Sequence, residues 1–282
     1  MIIFKTIAGL QQYIENQRIA ENTIGFVPTM GALHHGHLSL IKTCRQRHTV
    51  TVCSIFVNPT QFNDPTDFNK YPVTIEKDCL MLEQEQTDIL FLPTVNEMYP
   101  FGKVLNKEYD LGKLEAILEG AYRPGHFQGV CQVVERLLTI VKPDEIFIGQ
   151  KDYQQCLVIK KLVEIMEKPI TVNIILTLRE VDGLAMSSRN MRLNAAERQI
   201  APAIYKQLSV IKEKIKQASI AELKAAAEQQ LLNAGFTNVD YVEIAEAGNL
   251  KPQESFDPNK KTVALVAAFI NEVRLIDNLL LN

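Results

Sequence analysis

Over the first two-thirds of the chain, short apolar runs alternate with stretches whose apolar positions recur every three or four residues. Residues 23–28, 49–57, 88–92, 145–149 and 171–178 read as strands. Residues 34–47, 74–86, 126–141 and 154–166 read as the helices between them. In 74–86 one face carries Ile75, Cys79 and Leu82, and the helices 126–141 and 154–166 are stopped by Pro143 and Pro169. The run 49–57 is rich in β-branched residues and apolar on both faces, as in a parallel sheet covered on both sides. This alternation predicts an α/β fold with a doubly wound parallel sheet, whose ligands bind beyond the carboxyl ends of the strands.

The pattern changes after the loop 179–190. Residues 195–217 and 220–233 read as two long helices, followed by strand-like runs at 239–245, 262–270 and 272–277. Two helices and then three strands predict a small α+β unit. The expected domains are therefore 1–176 and 177–282, with no internal repeat.

Composition narrows the function. The chain has 282 residues and a formal net charge of -3, which argues against a nucleic-acid partner. The start, Met1-Ile-Ile-Phe-Lys-Thr-Ile7, reads as a strand-like run without the apolar segment and cleavage site of a secretory signal. No apolar stretch is long enough to span a bilayer. The five cysteines are odd in number and form no Cys-x-x-Cys pair, so they read as buried apolar residues of a reduced, cytoplasmic protein.

Candidate chemistry falls on four blocks. The first is Gly25-Phe-Val-Pro-Thr-Met-Gly-Ala-Leu-His-His-Gly-His37, a strand, a glycine turn and a helix that opens with histidines. A helix N-terminus with orphan N–H groups favours anions, and glycine permits close approach of a phosphate. A zinc reading of His34, His35 and His37 lacks the glutamate and the four-residue spacing of metalloprotease helices. The second block, Ser54-Ile-Phe-Val-Asn-Pro-Thr-Gln-Phe62, offers the neutral amides of Asn58 and Gln61 to a hydroxy acid or an amine; on spacing alone, a turn stabilised by Asn-Pro explains it better. In the third, Phe147-Ile-Gly-Gln-Lys-Asp-Tyr-Gln-Gln155, Lys151 offers a charge to phosphate and Asp152 a ribose contact or a helix cap. Gln155 lies one helical turn beyond Lys151. The fourth, Asp182-Gly-Leu-Ala-Met-Ser-Ser-Arg-Asn190, sets two hydroxyls beside Arg189, a phosphate-binding combination or an ordinary polar loop.

His-x-Gly-His resembles the signature of the nucleotidylyltransferase superfamily. In order and spacing the blocks, together with Arg123-Pro-Gly-His-Phe-Gln-Gly-Val130, resemble the pantothenate synthetase (pantoate–β-alanine ligase) family over nearly the whole chain. That resemblance implies a Rossmann-like N-terminal domain, a smaller C-terminal lid and a homodimer. It implies condensation of pantoate with β-alanine at the expense of ATP, with Mg²⁺ carried by the ATP phosphates, through a pantoyl-adenylate intermediate. The expected products are pantothenate, AMP and pyrophosphate. By the same resemblance, ATP is met by Met30, Gly31, Ala32, Leu33, His34, His35, Gly36 and His37, by Gly149, Gln150, Lys151 and Asp152, by the Leu178 backbone, and by Met186, Ser187, Ser188 and Arg189. His34, His37, Lys151, Ser187, Ser188 and Arg189 carry the chemistry, His37 as a proton donor or only as a charge. Gln61, Gln155, Asn58 and Met30 hold pantoate or β-alanine. The sequence departs from the family at Val73 after Tyr71-Pro72, at Gln150, where glutamate is common, and at Leu178, where valine is common.

Three other readings account for less of the sequence. A nucleotidylyltransferase that stops after adenylation would need more cations for a phosphorylated acceptor than the two glutamines supply. A nucleotide-binding module without chemistry would not need the full His, Lys, Ser and Arg set. An aminoacyl-tRNA synthetase, echoed by Met186-Ser-Ser-Arg189, would need a basic surface.

Overall fold

The computed structural model describes residues 1–62, 65–102 and 107–282. The chain forms two compact units, one of residues 1–149 and 158–176, the other of residues 150–157 and 177–282.

The first unit is built on a parallel sheet of β1 (Ile2–Phe4), β2 (Ile24–Thr29), β3 (Val50–Ile55), β4 (Ile89–Phe91), β5 (Glu145–Gly149) and β6 (Thr171–Ile175), in the order β1-β4-β3-β2-β5-β6. Every residue of β3 is buried, as its two-faced apolar pattern requires. The strand order reverses at β2, which pairs with β3 on one side and β5 on the other. A doubly wound sheet opens its ligand crevice at such a reversal. Helix His35–Arg47 buries Leu40, Ile41 and Cys44 against a core that includes Val27, Cys53, Leu90 and Phe147. Gly25 lets this helix lie close, because a Cβ there would stand 2.3 Å from Cys44 Sγ.

Three elements named here differ from the sequence pattern. Helix Ile7–Ile19, capped by Thr6, follows β1 directly. It buries only Leu10 and Ile14, so its periodicity is too sparse to announce a helix. The expected strands 49–57 and 171–178 are trimmed to Val50–Ile55 and Thr171–Ile175.

The second unit carries an antiparallel sheet of β7 (Asn238–Glu246), β8 (Thr262–Ile270) and β9 (Val273–Leu280), with β8 central. Ile204, Leu208 and Ile211 of helix Ala203–Lys214, with Leu223 and Leu231 of helix Ile220–Ala234, join Val266, Ile270 and Leu275 in its core. The single helix expected at 195–217 is instead two, Ala195–Ile200 and Ala203–Lys214. Pro202 separates them, since it has no N–H to donate to the carbonyl four residues back. Among the described residues no helix is long and apolar enough to cross a membrane.

Candidate active site

In the first unit the histidine block leaves β2 through two residues of positive φ, Gly31 (83°) and Ala32 (50°). A non-glycine residue in this region costs roughly 1 kcal/mol, so something must hold the turn. Asp78, fully buried on helix Ile75–Gln84, does so: the N–H of Ala32 donates to Oδ2 (2.9 Å) and that of Leu33 to Oδ1 (2.8 Å). The Thr74 hydroxyl donates to the same carboxylate (3.0 Å). Sequence reasoning passed over Asp78, although it lies three residues from Ile75 and four from Leu82, an acid on an apolar stripe.

Helix His35–Arg47 then begins with a capping box made of imidazoles. The Gly36 N–H donates to His34 Nδ1 (3.1 Å), the His34 N–H to His37 Nδ1 (3.4 Å), and the rings lie 4.0 Å apart. With Nδ1 accepting, each neutral ring carries its proton on Nε2, the nitrogen that then donates to an anion. His35 is exposed on the first helical turn, and the carboxyl end of β2 presents this helix N-terminus at the strand-order reversal.

The Asn58–Gln61 block forms the short 3₁₀ helix Pro59–Gln61. Gln61 Nε2 donates to Met30 Sδ (3.0 Å), which brings together two of the residues expected around the acid. Asn58 is fully buried and spends its amide within the chain. Its Nδ2 donates to Thr60 Oγ1, Gln61 Oε1 and the Gly129 carbonyl, and its Oδ1 accepts from Tyr99 Oη at 2.9 Å. Burial pushes the Tyr99 phenol above its ordinary range, so it stays a donor. Asn58 thus ties Gln61 to helix His126–Val141. His126 acts from the other side. Its Nδ1 donates to the Gln61 carbonyl (2.7 Å), and its Nε2 accepts from Arg123 Nη1 (3.2 Å). Helix His126–Val141 comes this close because Gly129 has no side chain; a Cβ there would meet the Thr60 carbonyl oxygen at 2.2 Å. At the end of β5, by contrast, a Cβ on Gly149 would meet nothing within 4 Å.

In the second unit, Gln150, Lys151 and Asp152 precede helix Tyr153–Met166, with Gln155 half-buried in its first turn. Lys151 Nζ lies 3.8 Å from Asp152 Oδ1. Asn278 of β9 holds the backbone of this turn, donating to the carbonyls of Gln150 (2.9 Å) and Lys151 (2.8 Å). The neighbouring Asp277 takes a bidentate pair from Arg179, at 2.6 and 3.0 Å. Burial pushes the Asp277 carboxyl upward while the guanidinium opposes it. Arg179 also stacks on Tyr205, 3.9 Å from the ring centre, and opens the loop that carries the fourth block. One two-residue step of β9 therefore anchors both the Lys151 turn and the 178–189 segment. Neither Asp277 nor Asn278 was singled out by the motifs; the signal was two adjacent polar residues inside an apolar strand.

The 178–189 segment folds back on itself. Glu180 N–H donates to the Leu184 carbonyl, and Met186 N–H to the Leu178 carbonyl (3.0 Å), so the Leu178 backbone already serves the loop. Ser187 caps the 3₁₀ helix Ser188–Arg192 by accepting from Arg189 N–H (3.3 Å), while Ser188 is buried. Asp182 pairs with Arg198 at 2.5 Å, which holds its carboxyl below the usual range.

A histidine-capped helix at the strand-order reversal of a parallel, doubly wound sheet is the arrangement of an α/β protein that binds phosphate-bearing ligands. The comparisons narrow this class. The family model for pantoate–β-alanine ligase matches residues 2–280, and the chain belongs to that family. It is 44% identical over 283 residues to a pantothenate synthetase of Cytophaga hutchinsonii, covering 100% of this chain and 99% of that protein. It is 40% identical over 280 residues to one from Porphyromonas gingivalis, covering 99% of each. The crystal structure of pantothenate synthetase from Thermus thermophilus matches with a TM-score of 0.91 at 40% identity, covering 100% of this chain and 99% of that one. Pantoate–β-alanine ligase from Francisella tularensis, complexed with β-γ ATP and β-alanine, matches with a TM-score of 0.84 at 37% identity, covering 100% of this chain and 98% of that one.

Proposed function

We propose that this protein joins pantoate to β-alanine with ATP, giving pantothenate, AMP and pyrophosphate through pantoyl adenylate. The observation that carries the reading is the histidine-capped helix at the end of β2, in a chain that matches the ligase family along its whole length. Nothing in the site has to supply a nucleophile, because the pantoate carboxylate attacks the α-phosphorus and pyrophosphate leaves. The amine of β-alanine then attacks the acyl carbon; the carboxylate oxygen bonded to phosphorus departs with AMP, and the ammonium proton is lost.

In this reading, His34 and His37 donate to phosphate oxygens, and His37 acts as a charge or a proton donor. Lys151 and Arg189 neutralise the charge that builds on the phosphates and Ser187 and Ser188 donate hydrogen bonds to it, the effect fixed donors and cations exert best. Gly31 to Gly36 offer loop surface to the nucleotide, Gly149 and Gln150 border it, and Asp152 takes the ribose. Leu178 and Met186 border the base. Gln61, Gln155 and Met30 hold the acid and the amine, with Asn58 fixing Gln61. The donor set is cationic or N–H-rich, which suits phosphate oxygens, so Mg²⁺ would ride on the phosphates. It would add charge neutralisation there. The family resemblance also supports a homodimer. None of the five cysteines is in a disulfide, which fits a reducing, cytoplasmic setting.

An isotope experiment tests the route. Pantoate labelled with ¹⁸O in its carboxylate should deliver one label into AMP when β-alanine is present. Label in inorganic phosphate with release of ADP would show an acyl phosphate instead and end this reading.

A further inference from the structure

The turn that carries Lys151 is held by a residue 127 positions away in sequence. Asn278 is 2% exposed, and all of its side-chain capacity is directed at that turn. Nδ2 donates to the Gln150 carbonyl at 2.9 Å and the Lys151 carbonyl at 2.8 Å, while Oδ1 accepts from Gln150 Nε2 at 3.1 Å. Two donors and an acceptor on one short planar head is the inventory of asparagine alone; a carboxylate would set oxygen against two carbonyl oxygens. Asn278 is itself locked. Its N–H donates to Asp277 Oδ1 (2.7 Å), and its carbonyl accepts from Arg179 Nη2 (3.2 Å). Arg179 is in turn fixed between Asp277 and the Tyr205 ring.

Two consecutive peptide carbonyls tied to a buried sheet leave Lys151 little freedom beyond its own side chain. A lysine side chain is flexible, so its value as a phosphate ligand depends on where its backbone starts. We propose that Asn278, with Gln150 as its partner, is a positioning residue for nucleotide binding: it fixes the Gln150–Lys151 backbone so that the Lys151 ammonium is presented to phosphate in one place. This rests on the role given above to Lys151. It adds a distant residue of the last strand that touches no substrate.

The test is calorimetric titration of MgATP into wild type, Asn278→Asp, Lys151→Ala and the double variant, with steady-state constants on the same preparations. Asn278→Asp keeps the shape and reverses the donors. It should weaken MgATP binding about tenfold, as expected for two misdirected hydrogen bonds, and move KM for pantoate by less than about threefold. The double variant should bind no more weakly than Lys151→Ala alone, because both changes remove one interaction. Should the Asn278 variants fail to fold, Gln150→Ala releases the same amide and should weaken MgATP about threefold. A purely structural role predicts a lower Tm with unchanged MgATP affinity of the folded protein, and that result overturns the proposal. Additive effects in the double variant, or wild-type affinity in Lys151→Ala, overturn it as well. Failure of the ligase reading would show separately, as absence of AMP from wild type given pantoate and β-alanine.

Discussion

The Gly31–His37 loop and the Gln150–Asp152 turn face the same physical problem and solve it with different chemistry. Each leaves a parallel strand, enters a helix, and must hold backbone groups that no regular structure pairs. In the first, a buried carboxylate accepts from two N–H groups, so Asp78 brings charge to a turn of positive φ. In the second, a buried carboxamide donates to two carbonyls, so Asn278 brings none. The difference follows from which backbone groups are orphaned. A turn exposing N–H groups calls for an acceptor, and one exposing carbonyls calls for donors. What the two share is that the residue fixing the motif lies outside it.

The largest effects should come from the groups assigned to phosphate. His37→Ala and Lys151→Ala should each lower kcat for AMP formation about 10²- to 10³-fold, the usual cost of removing one stabilising donor. Single-turnover quench assays at saturating ATP and pantoate check this. A loss at only one of the two positions would break the symmetry between the loops.

Next come the two holders. Asp78→Ala strands two buried N–H donors that had a charged acceptor, a loss of about 3 kcal/mol or more. Asn278→Ala strands two carbonyls and one amide, all neutral, a loss of about 1–2 kcal/mol. Denaturant unfolding of both variants ranks them. Asn278→Ala proving the more destabilising would refute the contrast drawn between charged and neutral support.

Gly129→Ala probes the Gln61 platform. Its methyl would collide with the Thr60 carbonyl, so helix His126–Val141 must retreat from the 3₁₀ helix. The expected result is a severalfold rise in KM for pantoate with KM for ATP nearly unchanged, read from initial rates. An equal rise for both substrates would show that Gln61 is not set apart in this way.

The smallest effect concerns pH. The hydrogen bond to Arg198 holds the Asp182 carboxyl below its ordinary range. A depressed folded pKa contributes stability that is present above the unfolded value and is lost as pH falls through the folded one. Both side chains are about a third or more exposed, so solvent screening limits the pair to under about 1 kcal/mol. Asp182→Asn should therefore melt slightly below wild type at neutral pH, and the gap should close in acid below the usual carboxylate pKa. A gap that widens in acid would have the wrong sign.

The motifs and their carriers were legible in the sequence for a physical reason. Parallel strands buried on both faces must be apolar throughout, and glycine turns and proline stops punctuate them. The supports were less legible because they are single polar side chains whose meaning depends on tertiary neighbours. Asp78 shows only as an acid on an apolar helical stripe, and Asp277-Asn278 only as a polar step in an apolar strand. For Asn58 the sequence offered an amide beside the acid or a turn residue, and only the tertiary neighbours Tyr99 and Gly129 show how that amide is occupied. The helix Ile7–Ile19 hid behind sparse apolar positions, and the helix pair around Pro202 behind a periodicity that runs through the proline.

The central claim, that this chain condenses pantoate with β-alanine by way of an adenylate, is tested most directly by quantifying AMP, pyrophosphate and the amide product together. The incubation holds MgATP and pantoate, with β-alanine present or omitted. The account predicts steady, equimolar AMP, pyrophosphate and amide when β-alanine is present, and at most a single enzyme equivalent of pyrophosphate when it is left out. Multiple turnovers of pyrophosphate without any amide, or no turnover with pantoate at all, would contradict it.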